Sequence, residues 1–228
     1  MSSPRTSRPL ALVTGASKGI GRAVAEALSP THHLLVGGRD EARIADVVAL
    51  CESAEPFRVD LDDPEAVAVA VAGITRLDVL VHSAGVVALG PLATTTTAQW
   101  ESVLRTNVVA PATLTRLLLP ALRAASGLVV FINSGAGLSA SANWGVYAAS
   151  KFALTALADS LRAEERGIRV TSIHPGRVAT DMQAELNRLE GRPYDPAKYL
   201  DPSAVARTVR LAVDLGEEGR VDSLRVVR

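Results

Sequence analysis

A single cysteine, Cys51, in 228 residues leaves nothing to pair with, so the chain closes no internal disulfide and suits a reducing compartment. Cys51 then reads as a small, buried apolar residue. An excess of charge of either sign is missing too: 24 basic and 24 acidic residues give a formal net charge of zero. That removes the electrostatic footprint of a nucleic-acid partner or an anionic membrane surface. No run approaches 18 consecutive apolar residues, so no membrane-spanning helix is expected. Met1 to Pro9 are polar, with no apolar segment of signal-peptide length after them, and read as a disordered leader on a cytoplasmic protein. His32, His33, His82 and His174 lack metal-ligand spacing and no acidic or cysteine cluster completes a site, so no metal is expected.

What is present is a core-forming pattern. At 48% hydrophobic and 21% charged, the chain can bury a sizeable core, and its length favours one domain. Short apolar runs read as strands at Leu10–Val13, Leu34–Val36, Phe57–Val59, Val79–His82, Leu128–Asn133, Arg169–His174 and Ser223–Val227. Segments of helical period lie between them at Ile20–Leu28, Glu41–Leu50, Pro64–Val71, Gln99–Leu119, Val146–Glu165 and Ser203–Val213. Asp63-Pro64 and Asp201-Pro202 are cap and first-turn signals, and Asp40 is placed to cap the second helix. Repeated βα units predict an α/β, doubly wound Rossmann-type parallel sheet of about seven strands flanked by helices, a single domain over residues 10–228.

Two motifs carry chemistry. Tyr147 and Lys151 stand one helical turn apart on one face, with about 0.04 such pairs expected by chance. An ammonium about 4 Å from a phenol supplies roughly the 4 kcal/mol needed to bring its pKa from ~10 to ~7. The second motif, Thr14-Gly15-Ala16-Ser17-Lys18-Gly19-Ile20-Gly21, joins the first strand to the first helix. Gly15 permits a tight turn, Gly19 lets backbone amides approach a pyrophosphate, and Gly21 lets the helix pack on the strand. The helix N-terminus offers free amides and a dipole to the anion.

The Gly-x-x-x-Gly-x-Gly spacing resembles the short-chain dehydrogenase/reductase family. Asp60, Ala84-Gly85, Asn107, Ser134, Tyr147 with Lys151, and Pro175-Gly176 with Thr180 follow in that family's order, and Ser134 precedes Tyr147 by 13 residues. The resemblance covers about Leu10 to Val227. It implies a catalytic set of Ser134, Tyr147, Lys151 and Asn107, in which Lys151 also binds the nicotinamide ribose and Asn107 holds a water leading from the lysine to solvent. It implies cofactor contacts from Gly15, Ser17, Lys18, Gly19, Ile20, Gly21, Arg39, Asp60, Leu61, Ala84, Gly85, Asn107, Tyr147, Lys151, Pro175, Gly176, Val178 and Thr180. Asn107 could instead kink its helix ahead of Pro111, and Thr180 is also an ordinary N-cap.

Cofactor choice is read at Gly37-Gly38-Arg39, where an NAD enzyme carries a carboxylate for the adenosine ribose. Arg39 suits a 2'-phosphate, with Lys18 as a second cation, so NADP(H) is preferred over NAD(H). The chain departs from the family's Asn-Asn-Ala-Gly with His82-Ser83-Ala84-Gly85, where His82 reads as a structural residue. The stretch from Thr180 to Leu200 reads as a substrate lid, with Met182, Leu186, Tyr194, Tyr199 and Trp144 as candidate walls. The expected activity is an oxidoreductase moving a hydride between NADP(H) and a small carbonyl or secondary alcohol, with Tyr147 as acid/base. A nucleotide-sensing regulator on the same fold and an NAD-dependent dehydrogenase are the alternatives. Apolar excess on Gln99–Leu119 and Val146–Glu165, with the family's habits, points to a homodimer or homotetramer.

Overall fold

A computed structural model describes residues 8–216 and 218–228. The apolar runs pair into one parallel sheet of seven strands: β1 (Leu10–Val13), β2 (His33–Gly38), β3 (Ala54–Arg58), β4 (Val79–His82), β5 (Leu128–Ile132), β6 (Arg169–Pro175) and β7 (Ser223–Val226). Their spatial order is β3-β2-β1-β4-β5-β6-β7. The expected doubly wound architecture is therefore present. Helices α1 (Gly19–Leu28), α2 (Glu41–Leu50), α3 (Pro64–Val71), α4 (Thr97–Leu104), α5 (Ala110–Ala125), α6 (Gly145–Glu164), α7 (Asp181–Leu189) and α8 (Pro202–Asp214) complete it.

Strand alternation sends side chains to two cores. In β1, Ala11 and Val13 join Val24 and Leu28 of α1, Ile44 of α2 and Val205 and Val209 of α8 on one face. Leu12 points the other way, with Leu35, Leu80, Val129 and Phe131, to meet Val67 of α3, Leu114 and Leu118 of α5 and Leu154 of α6. Each fully buried side chain of this kind contributes about 1.5–3 kcal/mol, so the central strands are held from both faces. The predicted caps are also in place: Asp40, Asp63 and Asp201 accept from amides in the first turns of α2, α3 and α8.

Three expectations shift. The third strand begins at Ala54, earlier than the apolar Phe57, because it is an edge strand paired residue by residue with β2 and the ladder recruits Glu55 and Pro56 whatever their polarity. The helix expected over Gln99–Leu119 is split into α4, a π-helical turn at Arg105–Val109, and α5. Pro111 has no N–H for the carbonyl of Asn107, and the Ala110 amide instead reaches the Arg105 carbonyl. The stretch Thr97–Ala125 is long and apolar enough to cross a bilayer by length and composition alone, although in this fold its Leu114 and Leu118 pack on the sheet. Finally, the leader expected through Pro9 ends sooner. Arg8 bonds to the Ser29 carbonyl at 2.9 Å and to Glu52, and the Pro9 carbonyl accepts from the His33 amide at 2.9 Å. Residues 1–7 lie outside the described residues.

The strand order reverses between β1 and β4, so the α1 and α5 connections leave in opposite directions and open a crevice at the carboxyl ends of the strands. The glycine loop, Ser134 and Thr180 all lie on loops at that end.

Candidate active site

Two adjoining clefts occupy this edge. The first, about 390 Å³, is lined by Gly15, Ser17, Lys18, Gly19, Ile20, Gly21, Arg39, Asp60, Leu61, Ala84, Gly85 and Thr180 among others. The second, about 320 Å³, holds Ser134, Tyr147, Pro175, Gly176 and Val178 with Trp144, Met182 and Leu186. Ile20, Thr180 and Met182 line both, so the clefts meet there. Asn107 and Lys151 are buried behind the walls.

The first cleft fits a nucleotide pyrophosphate. Gly15 has φ +63°, and a Cβ on it would stand 2.7 Å from the Ala84 backbone; one on Gly21 would stand 2.3 Å from the Gly15 carbonyl. The loop is thus folded as tightly as only glycine allows. Lys18, at the N-cap of α1, makes no side-chain capping bond, which leaves the first amides of the helix open to an anion. Thr14 Oγ1 accepts from the Ser83 and Ala84 amides at 3.1 and 3.2 Å and fastens the β4 loop to this cradle.

At the adenosine end, Arg39 is exposed and lines the cleft. Lys18 Nζ lies 3.0 Å from Asp181 Oδ2, and Arg43 Nη1 reaches the same oxygen at 3.4 Å. The Lys18 hydrogen bond, then its charge and that of Arg43, holds the Asp181 carboxyl below the usual range. Arg43 and Asp181 were absent from the sequence reading. Their separation of 138 residues leaves no local signal.

The second cleft collects the chemistry. Ser134 stands at the end of β5, where its backbone is pinned by its amide to Asn133 Oδ1 at 2.9 Å and its carbonyl to His174 Nδ1 at 3.1 Å. Tyr147, in the first turn of α6, is 8% exposed and lines this cleft together with Ser134. Burial raises its pKa, and the neighbouring Ser134 side chain opposes that rise. This runs opposite to the lowering expected from Lys151. The reason is geometric: Lys151 Nζ donates to the Ile132 carbonyl at 3.1 Å and sits 5.8 Å from the Tyr147 ring centre. Burial brings the Lys151 pKa down to about 8.

Asn107 projects from the π turn. Its Nδ2 donates to the Val86 carbonyl at 2.9 Å and to Ser150 Oγ at 3.0 Å, while its Oδ1 accepts from the Val86 amide at 2.9 Å. The widened turn aims the side chain at both the β4 loop and α6. Thr180 does cap α7, accepting from the Gln183 amide at 3.3 Å.

Of the candidate walls, Trp144, Met182 and Leu186 line the second cleft. Tyr194 and Tyr199 do not. They stack on each other with centroids 5.8 Å apart, and the Tyr199 hydroxyl bonds to the buried Asn187. His82 is structural, as expected: Nε2 lies 2.8 Å from Thr115 Oγ1, the ring stacks on Phe131, and burial holds its pKa down to about 3. Cys51 is only partly buried and free.

Residues 9–191 match the model of the short chain dehydrogenase family. The chain belongs to that family. A short-chain type dehydrogenase/reductase of Sinorhizobium fredii, of uncharacterized activity, is 33% identical over 98% of this chain and 93% of its own length. Among solved structures, a protein of Shigella flexneri described as a short chain dehydrogenase and complexed with NADP superposes with a TM-score of 0.86 at 29% identity, over 96% of this chain and 97% of that one. A protein of Beutenbergia cavernae, described as an NAD(P)-dependent gluconate 5-dehydrogenase and holding NADP at low occupancy, superposes with a TM-score of 0.86 at 32% identity, over 97% and 96% of the two chains. This short-chain dehydrogenase is accordingly an oxidoreductase with the fold that binds a nicotinamide cofactor.

Proposed function

We propose that this protein moves a hydride between NADP(H) and a carbonyl or secondary alcohol, with Tyr147 exchanging the proton. The observation that carries the reading is the placement of Ser134 and Tyr147 together in the wall of one cleft, next to the glycine cradle. When bound, the nicotinamide supplies or accepts the hydride. Ser134 donates to the substrate oxygen as negative charge develops on it. Burial keeps the Tyr147 phenol protonated at neutral pH, the state from which it gives a proton to that oxygen. Lys151, its Nζ held on the Ile132 carbonyl 5.8 Å from the Tyr147 ring centre, would hold the ribose of the cofactor, and Asn107 fixes the α6 end of this group through Ser150.

Preference for NADP(H) is supported by Gly37-Gly38-Arg39, which places no carboxylate at the end of β2, by Arg39 in the cleft and by the cations Lys18 and Arg43 beside it. The NADP found with the Shigella and Beutenbergia proteins agrees with it. Assembly into a dimer or tetramer is part of the same reading: Val109 and Phe152 leave 55% and 44% of their surfaces exposed at the start of α5 and on α6.

The test follows the near-ultraviolet absorbance of NADPH and of NADH against ketones, aldehydes, quinones and acyl thioesters. Turnover that falls at least about 100-fold in Tyr147→Phe, with cofactor binding intact, supports the reading. Saturable cofactor binding with no turnover of any carbonyl would instead favour a nucleotide sensor.

A further inference from the structure

Among the described residues, Arg177 is the only charged one lining the second cleft. Its guanidinium faces the ring of Trp144, 5.6 Å from the centroid, and Trp144 meets Tyr147 edge-on at 5.8 Å. A cation at that place would draw a carboxylate on any bound substrate. Its fork, however, is already filled. Nη1 and Nη2 donate to the two oxygens of Glu190 at 2.8 and 2.5 Å, and Glu190 is buried to 15% side-chain exposure at the end of α7. Arg192 reaches the same carboxylate at 3.9 Å from the outside. A bidentate pair of this geometry is strong and specific, and it neutralises the charge and takes the end-on face of the fork that a substrate carboxylate would otherwise use.

Resting on the reading of this cleft as the substrate site, we infer that Glu190 is a specificity-determining residue: by occupying the Arg177 fork it restricts the enzyme to carbonyl substrates without a carboxylate near the reacting carbon. The remaining wall suits such a molecule. Trp144, Val178, Met182 and Leu186 are apolar, and Ser139 and Ser141 offer neutral hydrogen bonds. Selectivity of this kind comes from denying the wrong ligand a partner as much as from contacts to the right one. A carboxylate brought against this pair meets the like charge of Glu190 and a guanidinium whose charge is already neutralised.

The chain also explains why the neutralising carboxylate stays in place. Glu190 is the C-cap of α7, Asn187 one turn earlier bonds to the Pro193 carbonyl and to Tyr199, and Leu200 pairs with Arg177 through its amide at 3.0 Å. The lid thus closes on itself and presents Glu190 to Arg177 from a fixed position.

The test needs no turnover. Benzoate and its neutral counterpart benzamide are titrated against tryptophan fluorescence in the full-length protein with NADP bound. Glu190→Gln keeps the side-chain shape and frees the guanidinium, so benzoate should bind at least about tenfold tighter than to the wild type while benzamide changes little. The gain should vanish in the double variant Arg177→Gln/Glu190→Gln. Glu190→Ser serves as a second release of the same cation, and an unchanged thermal midpoint shows the lid intact. Wild-type protein that binds benzoate as tightly as benzamide, a Glu190 variant that leaves the ratio unmoved, or a gain that survives loss of Arg177 overturns the inference. Absence of turnover on every carbonyl would count against the oxidoreductase reading alone, since the binding ratios are read separately.

Discussion

Lys18 in the glycine loop and Asp181 in the first turn of α7 form an ion pair 3.0 Å long, so the turn that opens α1 is tied to the helix that follows β6. Arg43 joins the same carboxylate. Both cations are thereby partly neutralised beside the adenosine end of the cleft.

Asp181→Asn should release Lys18 for a 2'-phosphate, whereas Arg43 keeps its ion pair with Asp40 at 3.4 Å. Because all three groups are largely exposed, the gain is small, up to about fivefold in the Michaelis constant for NADPH, with NADH unchanged. The difference should shrink as salt is raised. Steady-state kinetics with each cofactor at two ionic strengths decides it, and equal effects on both cofactors would count against the phosphate site.

Arg39→Leu removes the planar fork at the end of β2. The NADPH Michaelis constant should rise about 10- to 100-fold, corresponding to loss of a charge-assisted contact, while that for NADH moves little. Parallel loss with both cofactors would refute the assignment of Arg39.

Lys151→Met should separate stability from activity. The folded pKa of Lys151 is depressed to about 8, whereas the unfolded chain holds its proton to about 10.4. At pH 7 both states are protonated and the buried charge is a full burden; the burden lifts as pH rises from about 8 to about 10. Removing the ammonium should therefore stabilise the fold by about 1–2 kcal/mol at pH 7, after allowing for the lost bond to the Ile132 carbonyl, and by less at pH 10. Activity should fall sharply. Denaturant melts at the two pH values test the sign.

His82→Asn addresses the acid limb. His82 stays neutral in the folded protein down to about pH 3, but in the unfolded chain it gains a proton near pH 6.5. The unfolded state binds more protons in that window, so stability drains away as pH falls from about 6.5 towards 3. The variant should lose less stability between pH 6.5 and 4 than the wild type, by about 2–3 kcal/mol. Identical pH slopes would place the acid sensitivity elsewhere.

How much was legible in the sequence differs by residue. The glycine loop was readable because its three glycines answer to local backbone demands, namely the positive φ of Gly15 and the contact of Gly21 with the Gly15 carbonyl. Ser134 and Tyr147 were legible as a spacing, and the Asp40, Asp63 and Asp201 caps as local hydrogen bonds. The π turn at Asn107 was hidden, since Pro111 announces a disturbance in the helix without saying whether the chain kinks, stops or widens. The edge strand β3 was read short because its residues 54–56 are held by pairing with β2 and carry no apolar pattern.

Side-chain periodicity and short-range backbone chemistry set the alternation of strand and helix, the caps, the tight glycine turn and the spacing of Ser134, Tyr147 and Lys151, all of which are local to the chain. Tertiary structure decided which charges meet. Lys18 with Asp181 and Arg177 with Glu190 join only because the lid folds back over the carboxyl edge of the sheet. It also decided that Lys151 donates a hydrogen bond to the Ile132 carbonyl and that the Tyr147 phenol is raised, not lowered, in pKa. Those outcomes depend on burial and on groups brought together through space, and neither quantity is written in the spacing of residues along the chain.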